Sequence, residues 1–244
     1  MLYLGKSARF VSDLHLSEDR PDITDRFEAF LEDTARRRIE ALAILGDLFE
    51  YWIGDDDLDL PFNAHIVNLL RALSARGVAL YFVAGNRDFL IDAEFAQAAR
   101  LTRLEEIAKV GAGETELLVM HGDLLCTDDV AYQEFRRLVR TNQWRQHFLQ
   151  RPLAERRAEV AALRRRSVMA TQEKSVAIMD VNPDSVLSVL AQYRCRHLIH
   201  GHTHRPGCVI DESMERWTLS DWDLARGDAI EVDAAGIRRL DFSH

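Results

Sequence analysis

Five short apolar runs in this chain each stop at a residue type that can hold a metal ion. Residues 9–12 (RFVS) end at Asp13-Leu14-His15, and residues 41–45 (ALAIL) end at Gly46-Asp47. Residues 78–84 (VALYFVA) end at Gly85-Asn86-Arg87-Asp88, and residues 117–120 end at His121-Gly122-Asp123. The run at 197–200 leads into Gly201-His202-Thr203-His204. Runs of this length bounded by turn residues read as strands. In an open α/β sheet, ligands collect beyond the carboxyl ends of the strands. A chain punctuated in this way is predicted to bring five separate segments to one point.

The stretches between the runs carry a helical period. Residues 24–38 place Phe27, Phe30, Leu31 and Ala35 on one face, and residues 62–76 do the same with Ile66, Leu69, Leu70 and Leu73. Strand and helix in alternation predict a mainly parallel sheet covered by helices. From Asp129 to about Asp180 the chain is helical in pattern and rich in Arg and Ala, broken once at Pro152, which predicts two or three helices. The last third returns to strands at 197–200, 208–210, 215–219, 229–232 and 237–240. Their Gly and Asp turns suggest antiparallel hairpins. The expected class is α/β, with two packed sheets flanked by helices. No linker, repeat or low-complexity tract interrupts 1–244, so a single domain is expected, with the segment 129–180 as a helical insertion.

The ligand types narrow the chemistry. Carboxylates and an amide carbonyl suit hard divalent ions, and imidazoles suit transition ions. The mixture fits Mn²⁺, Fe²⁺ or Zn²⁺ better than Ca²⁺, and the lack of Cys in these motifs argues against a structural zinc site. Each motif alone is weak, since Gly-Asp and Gly-Asn are ordinary turn dipeptides. Three histidines in five residues at His200–His204 are more specific, and the ordered set is more specific still.

That ordered set resembles the calcineurin-like metallophosphoesterase superfamily, whose pattern is D-x-H, GD, GN, H and GH-x-H. The resemblance covers nearly the whole chain and implies a four-layer αββα sandwich with two divalent metal ions, Mn²⁺ foremost. By the family pattern Asp13, His15, Asp47 and His204 would hold one metal. Asp47, Asn86, His121 and His202 would hold the other, with Asp47 bridging. Two metals ~3.5–4 Å apart lower the pKa of a bridging water and clamp the oxygens of an in-line displacement at phosphorus.

The third motif departs from many members of the superfamily, which carry His where this chain has Arg87. An arginine stays charged and cannot serve as a general acid, but it grips a phosphate through two hydrogen bonds. Such a site suits a leaving group that needs little protonation, as in a pyrophosphate. The arginine form resembles the UDP-2,3-diacylglucosamine pyrophosphatase branch, as do the segments 46–57 (GDLFEYWIGDDD) and 121–129 (HGDLLCTDD) followed by Tyr132. Arg166-Ser167 and Lys174 stand where that branch places substrate contacts. Thr171 stands where it usually has Asn.

This resemblance implies attack of metal-bound hydroxide on the uridine-linked (alpha) phosphorus, with Asp47, Asn86, His121 and His202 in the catalytic centre. The products would be UMP and 2,3-diacylglucosamine 1-phosphate, in lipid A biosynthesis. Asn86, Arg87, Asp129, Ser167, Thr171, Lys174 and His202 would contact substrate. The insertion would be a lid whose apolar faces hold acyl chains.

Charge and hydropathy bear on partners. The net charge is −9, which argues against a general nucleic-acid surface. Residues 131–180 carry 11 Lys and Arg against 5 Asp and Glu, a surplus of +6 that leaves −15 on the remainder. A basic, amphipathic insertion on an acidic body fits peripheral contact with the cytoplasmic face of an inner membrane. No apolar run approaches the ~20 residues of a spanning helix, and no signal-peptide core follows Met1. The three cysteines lack zinc-site spacing and read as reduced thiols.

Two rival readings share these residues. One is another two-metal phosphodiesterase or nucleotide pyrophosphatase of the same superfamily, against which Arg87 and the insertion speak. The other is a non-catalytic scaffold, against which the complete ligand set speaks. Asp88 and Asp123 are expected to orient the site. His65, His147, His197 and His244 are expected at the surface or in packing, and Trp217 and Trp222 in the core or at a sheet edge. Residues 55–57 (DDD) fit either a solvated loop or a support for Asp47.

Overall fold

The structure, a computed structural model, describes residues 1–173 and 180–242, with the backbone alone described over 166–173. Its elements run β1 (Leu2–Tyr3), β2 (Ala8–Val11), α1 (Pro21–Arg36), β3 (Ala41–Ile44), α2 (Pro61–Ala75), β4 (Ala79–Phe82), α3 (Ala93–Ala99) and β5 (Leu101–Arg103). They continue with β6 (Ile107–Ala112), β7 (Thr115–Met120), α4 (Val130–Val139), α5 (Asn142–Leu149), α6 (Leu153–Glu173) and α7 (Pro183–Tyr193). The chain closes with β8 (His197–His200), β9 (Gly207–Ile210), β10 (Glu215–Thr218), β11 (Asp228–Asp233) and β12 (Gly236–Asp241).

These strands form two six-stranded mixed sheets, ordered β12-β11-β2-β3-β4-β5 and β1-β6-β7-β8-β10-β9. In the first, β2 to β5 run parallel, and β11 joins β2 antiparallel. Strand periodicity sorts its side chains into two layers. Ala8, Phe10, Ala41, Ala43 and Val83 face the second sheet, where they meet Val110, Leu117, Val119 and Ile199. Val11, Leu42, Ile44, Leu80 and Phe82 face the helices α1, α2 and α3. The far side of the second sheet packs Leu118, Met120 and Leu198 against Val186, Val189 and Leu190 of α7. The result is the expected αββα order.

The helices form where the sequence supplies start signals. Proline at the first turn opens α1, α2 and α7, where its missing N–H costs nothing. In α1, Ile23, Phe27, Phe30, Leu31 and Thr34 make the buried stripe. Each of its fully buried Ile, Leu and Phe side chains contributes roughly 1.5–3 kcal/mol. Asp129, Thr141 and Asn182 cap α4, α5 and α7 by accepting from the N–H three residues on.

One expectation fails. Among the described residues of the last third, only β9–β10 and β11–β12 are antiparallel hairpins. β8 lies between β7 and β10 and runs parallel to both. Its carboxyl end therefore points the same way as that of β7, which puts Gly201-His202-Thr203-His204 beside His121.

The insertion comprises α4, α5 and α6, with Pro152 immediately before α6. Its arginines turn inward more than a solvated basic face would. Arg136 and Arg140 both pair with Glu106 and Asp123, and Arg145 with Asp92. Along α6, Arg156, Arg157 and Arg164 pair with Asp56, Asp57 and Glu50. The helix therefore runs antiparallel to the segment that follows β3. Asp55 faces the other way, accepting from the backbone of Asp92 and Phe95 to cap α3. Residues 55–57 are thus an anchor and not a solvated loop.

Candidate metal centre

The parallel strands β2, β3 and β4 end side by side, and the loops beyond them are stitched together by backbone bonds. Asp13 N donates to Gly46 O at 3.1 Å, and His15 N donates to Asp47 O at 3.0 Å. The second sheet delivers the loops after β7 and β8 to the same edge, where Gly201 N donates to His121 O at 2.8 Å. All seven predicted ligands, Asp13, His15, Asp47, Asn86, His121, His202 and His204, meet there.

Five of them hold a backbone conformation that L-residues seldom adopt. Asp13, His15, Asp47, His202 and His204 have φ between 48° and 68°. The other non-glycine residues with positive φ among those described are Arg38, Arg100 and Arg194, at or just past helix ends. Left-handed backbone costs of order 1–2 kcal/mol per residue and gathers where the surrounding structure over-determines it. Here it turns each side chain back toward the strand ends.

Two groups of ligand atoms result. In the first, His204 Nε2 lies 3.3 Å from Asp13 Oδ1 and 3.4 Å from His15 Nε2. In the second, Asn86 Oδ1 lies 2.8 Å from both His121 Nε2 and His202 Nδ1, which are 3.2 Å apart. Asp47 stands between them, with Oδ1 3.7 Å from His121 Nε2. A metal with bonds of ~2.0–2.2 Å sets neighbouring ligand atoms about 3 Å apart, which is the spacing found here.

The hydrogen bonds leave the right atoms free. Asp13 Oδ2 accepts from Ser12 Oγ at 2.6 Å and from His202 N at 2.9 Å. Asp13 Oδ1 is buried and has no hydrogen-bond partner. His121 Nδ1 donates to Leu45 O at 2.9 Å, which leaves Nε2 as the lone pair. His204 Nδ1 faces Asp221 at 3.5 Å, and His15 Nδ1 faces Glu50 at 3.5 Å. An orphaned buried carboxylate oxygen and imidazole nitrogens backed by acceptors are what a divalent cation requires. The residues fit two such ions.

Electrostatics points the same way. Burial pushes up the carboxyl groups of Asp47 and Asp88, each helped by a neighbouring carboxylate, and Asp88 reaches about 7. Burial alone would lower the pKa of His121, but the charges of Asp47, Asp13 and Asp123 carry it to about 9. Burial and the charge of His121 take His202 down to about 3. So much carboxylate in so little water asks for positive charge.

Asp88 and Asp123 support the site, as their positions in the motifs suggest. Asp88 accepts from Leu48 N at 2.7 Å and Gly85 N at 2.9 Å, tying the Asp47 loop to the Asn86 loop. Asp123 accepts from Tyr132 Oη at 2.9 Å and Arg136 Nε at 2.7 Å, and the Tyr132 ring packs 5.8 Å from that of His202.

Of the expected substrate contacts, Asn86, Arg87 and His202 come together at this edge. Arg87 N donates to Asp47 Oδ1 at 2.8 Å, and its guanidinium stands 3.9 Å from Asp47 Oδ2. Asp129 caps α4, accepting from Tyr132 N at 3.1 Å. Ser167 and Thr171 lie on α6 with side chains outside the described residues, as do those of Arg166, Val168 and Met169. Lys174 and His244 lie outside them altogether.

A cavity of about 320 Å³ opens from Asn86 and Arg87 under the insertion. Most of its lining is apolar, including Phe89, Leu90, Val139, Phe148, Val160 and Leu163, and Arg136, Arg140 and Arg164 reach it as well. Glu50 and Asp221 are the residues that sequence reasoning missed. Both are single carboxylates in loops; Glu50 lies inside the segment 46–57 but nothing there singles it out, and Asp221 has no motif around it.

A family model described as calcineurin-like phosphoesterase matches residues 9–206. A relative named UDP-2,3-diacylglucosamine hydrolase, from Aromatoleum aromaticum, is 49% identical over 220 residues, covering 88% of this chain and 89% of its own. A relative of the same name from Chromobacterium violaceum is 43% identical over 234 residues, covering 95% and 97%. The solved structure of an archaeal phosphodiesterase superposes with a TM-score of 0.51 at 10% identity, covering 96% of this chain and 99% of that one, a likeness of fold.

Proposed function

The chain belongs to the calcineurin-like phosphoesterase family, and from that premise we propose that it cleaves the pyrophosphate bond of UDP-2,3-diacylglucosamine. The products are UMP and 2,3-diacylglucosamine 1-phosphate, a step of lipid A biosynthesis. One observation carries the reading. One cavity joins the candidate ligand Asn86 and the neighbouring Arg87 to a mostly apolar lining under α4–α6. A nucleotide alone has no use for that lining, and a diacylated sugar has.

Asp13, His15, Asp47 and His204 would hold one divalent ion, and Asp47, Asn86, His121 and His202 the other, with Mn²⁺ the proposed metal. Bound there, two such ions make water nucleophilic and offset charge growing at phosphorus. The chain's own residues supply the rest. Arg87 stays protonated and fixes a phosphate oxygen through charge-assisted hydrogen bonds. The departing lipid phosphate needs no proton, so no general acid is required where other members carry His. The insertion excludes water and buries acyl chains, acting as a lid on a single domain of residues 1–244. Asp129, Ser167, Thr171 and Lys174 complete the substrate contacts.

No helix of the described residues is long and apolar enough to cross a membrane. On α4, Val130, Phe135 and Leu138 are exposed, and Phe135 also lines the cavity. These support peripheral docking on the cytoplasmic face of the inner membrane, where a diacylated substrate resides. Cosedimentation with anionic vesicles at low salt tests that part, and a protein left wholly in the supernatant would refute it.

The central test is UMP release from UDP-2,3-diacylglucosamine, with and without its acyl chains, in Mn²⁺ and in excess chelator. Release that requires both metal and acyl chains is the expected result. Metal-dependent cleavage of simple phosphodiesters without UMP from the lipid would discard this substrate.

A further inference from the structure

We propose that Glu50 is a positioning residue, presenting Arg87 and Arg164 to the cavity as a paired anion clamp while holding the His15 ring from behind. The nature of the anion, a phosphate group, rests on the hydrolase reading above; the rest is geometry.

Glu50 follows the Asp47 loop, and its backbone N–H donates to Leu16 O at 3.0 Å, which ties it to the loop of His15. Its side chain is 13% exposed and meets three basic groups. Oε1 pairs with the Arg164 guanidinium and lies 3.6 Å from Arg87 Nη1. Oε2 lies 3.5 Å from His15 Nδ1.

The two arginines come from distant parts of the chain, one beyond β4 and one on α6. Like charges brought to one place repel, and Glu50 is the counter-charge they share. Both arginines line the cavity, and Glu50 does not. It therefore stands behind the pair rather than against a ligand. Arg164 also lies 6.0 Å over the Tyr51 ring, next in sequence to Glu50, so one short segment fixes both the charge and the plane of that guanidinium.

The link to His15 has its own logic. His15 Nδ1 is buried, and at 3.5 Å from Glu50 it falls short of a hydrogen bond. If His15 gives Nε2 to a cation, Nδ1 carries the proton and needs an acceptor. Glu50 is placed to be that acceptor. The anion clamp and one metal ligand thus share a single carboxylate.

The test is calorimetry on purified protein, first titrating Mn²⁺ into the metal-free chain and then UMP into the Mn²⁺-loaded chain. Glu50→Gln keeps the shape and removes the charge. It is expected to weaken one class of Mn²⁺ site by about tenfold, as loss of a supporting carboxylate does. It is also expected to weaken UMP by about tenfold, because both charge-assisted grips loosen. Arg164→Gln should weaken UMP to a similar degree and leave Mn²⁺ affinity unchanged. Wild-type affinities for both ligands in Glu50→Gln would overturn the proposal. If that variant does not fold, unchanged UMP affinity in Arg164→Gln would overturn it instead. Neither readout uses lipid turnover, so failure to hydrolyse the lipid with these affinities intact would count against the substrate and not against Glu50.

Discussion

Gly46 and Gly85 face each other so closely that a methyl carbon on Gly46 would sit 2.5 Å from the Gly85 Cα and 2.7 Å from His121 Nδ1. Gly46 also has φ of 86°, which side chains resist. The Asp47 and Asn86 loops can meet only because neither residue carries a Cβ. Gly46→Ala is expected to force them apart. A misplacement near 1 Å costs roughly a hundredfold in rate, so kcat should fall by about that factor, with metal content falling alongside. Normal metal content and kcat would contradict the packing argument.

The candidate metal centre predicts loss of function without loss of fold. Asp47→Ala and His121→Ala are each expected to abolish turnover, because either loss leaves the two-ion site incomplete, with an unchanged circular dichroism spectrum. Excess chelator should do the same reversibly. Saturating Mn²⁺ should raise the unfolding free energy by about 2.7 kcal/mol for each site held at a hundred times its Kd, about 5 kcal/mol for two, visible as a higher Tm.

Arg87 separates grip from chemistry. Arg87→Ala should slow turnover of the lipid substrate strongly. Arg87→Lys should restore only part of it, because an ammonium offers a point charge and no planar fork. Full activity in Arg87→Ala would remove the argument that the arginine form marks a pyrophosphate substrate.

Acid stability should report on the helix layer. Asp33 of α1 accepts from Arg36, Arg9 and Arg37, and although burial opposes them, these bonds lower its pKa to about 2. Arg9 is fully buried and lies 2.9 Å from Asp33. A group with a lowered folded pKa stabilises the fold above its unfolded value near 4, and the contribution fades as pH falls through about 2. Asp33→Asn should therefore cost about 2 kcal/mol at pH 7, and its urea midpoint should converge with wild type between pH 4 and 2. A constant gap across that range would rule the linkage out.

Arg156 roots the insertion. It is 1% exposed, donates to Ile53 O at 2.6 Å and pairs with Asp56. Arg156→Ala leaves a buried carbonyl unmet, and about 2 kcal/mol of stability should go with it. Hydrogen exchange should quicken in α6 before it does in β3. Equal acceleration in both would mean that the insertion unfolds with the core.

The convergence of the candidate ligands was legible because each follows an apolar run in the chain, and strand ends are where a sheet gathers its loops. The supports Asp88 and Asp123 were legible within the same motifs, but two others were not. Glu50 and Asp221 reach His15 and His204 from loops without any periodic signal, and only the folded chain brings them near. The place of β8 was hidden for a related reason. Short strands separated by turn residues look like hairpins locally, and the parallel neighbours of β8 come from long range. The excess of arginine in the insertion suggested a basic outer face, but a net charge has no direction. Arg136, Arg140, Arg156, Arg157 and Arg164 point inward at the acidic body that the same count had revealed.

The seam between the sheets has a consequence for the metal centre. Asp13, His15, Asp47 and Asn86 hang from one sheet, and His121, His202 and His204 from the other. The filling between the sheets, thin where Ala8, Ala41, Ala43 and Ala112 lie, therefore works as a spacer that gauges the distance from carboxylate to imidazole. A single methyl group inserted there, far from any ligand, would be a shim under the whole centre. Tuning of metal preference in this chain can accordingly be sought in its alanines as well as in its histidines.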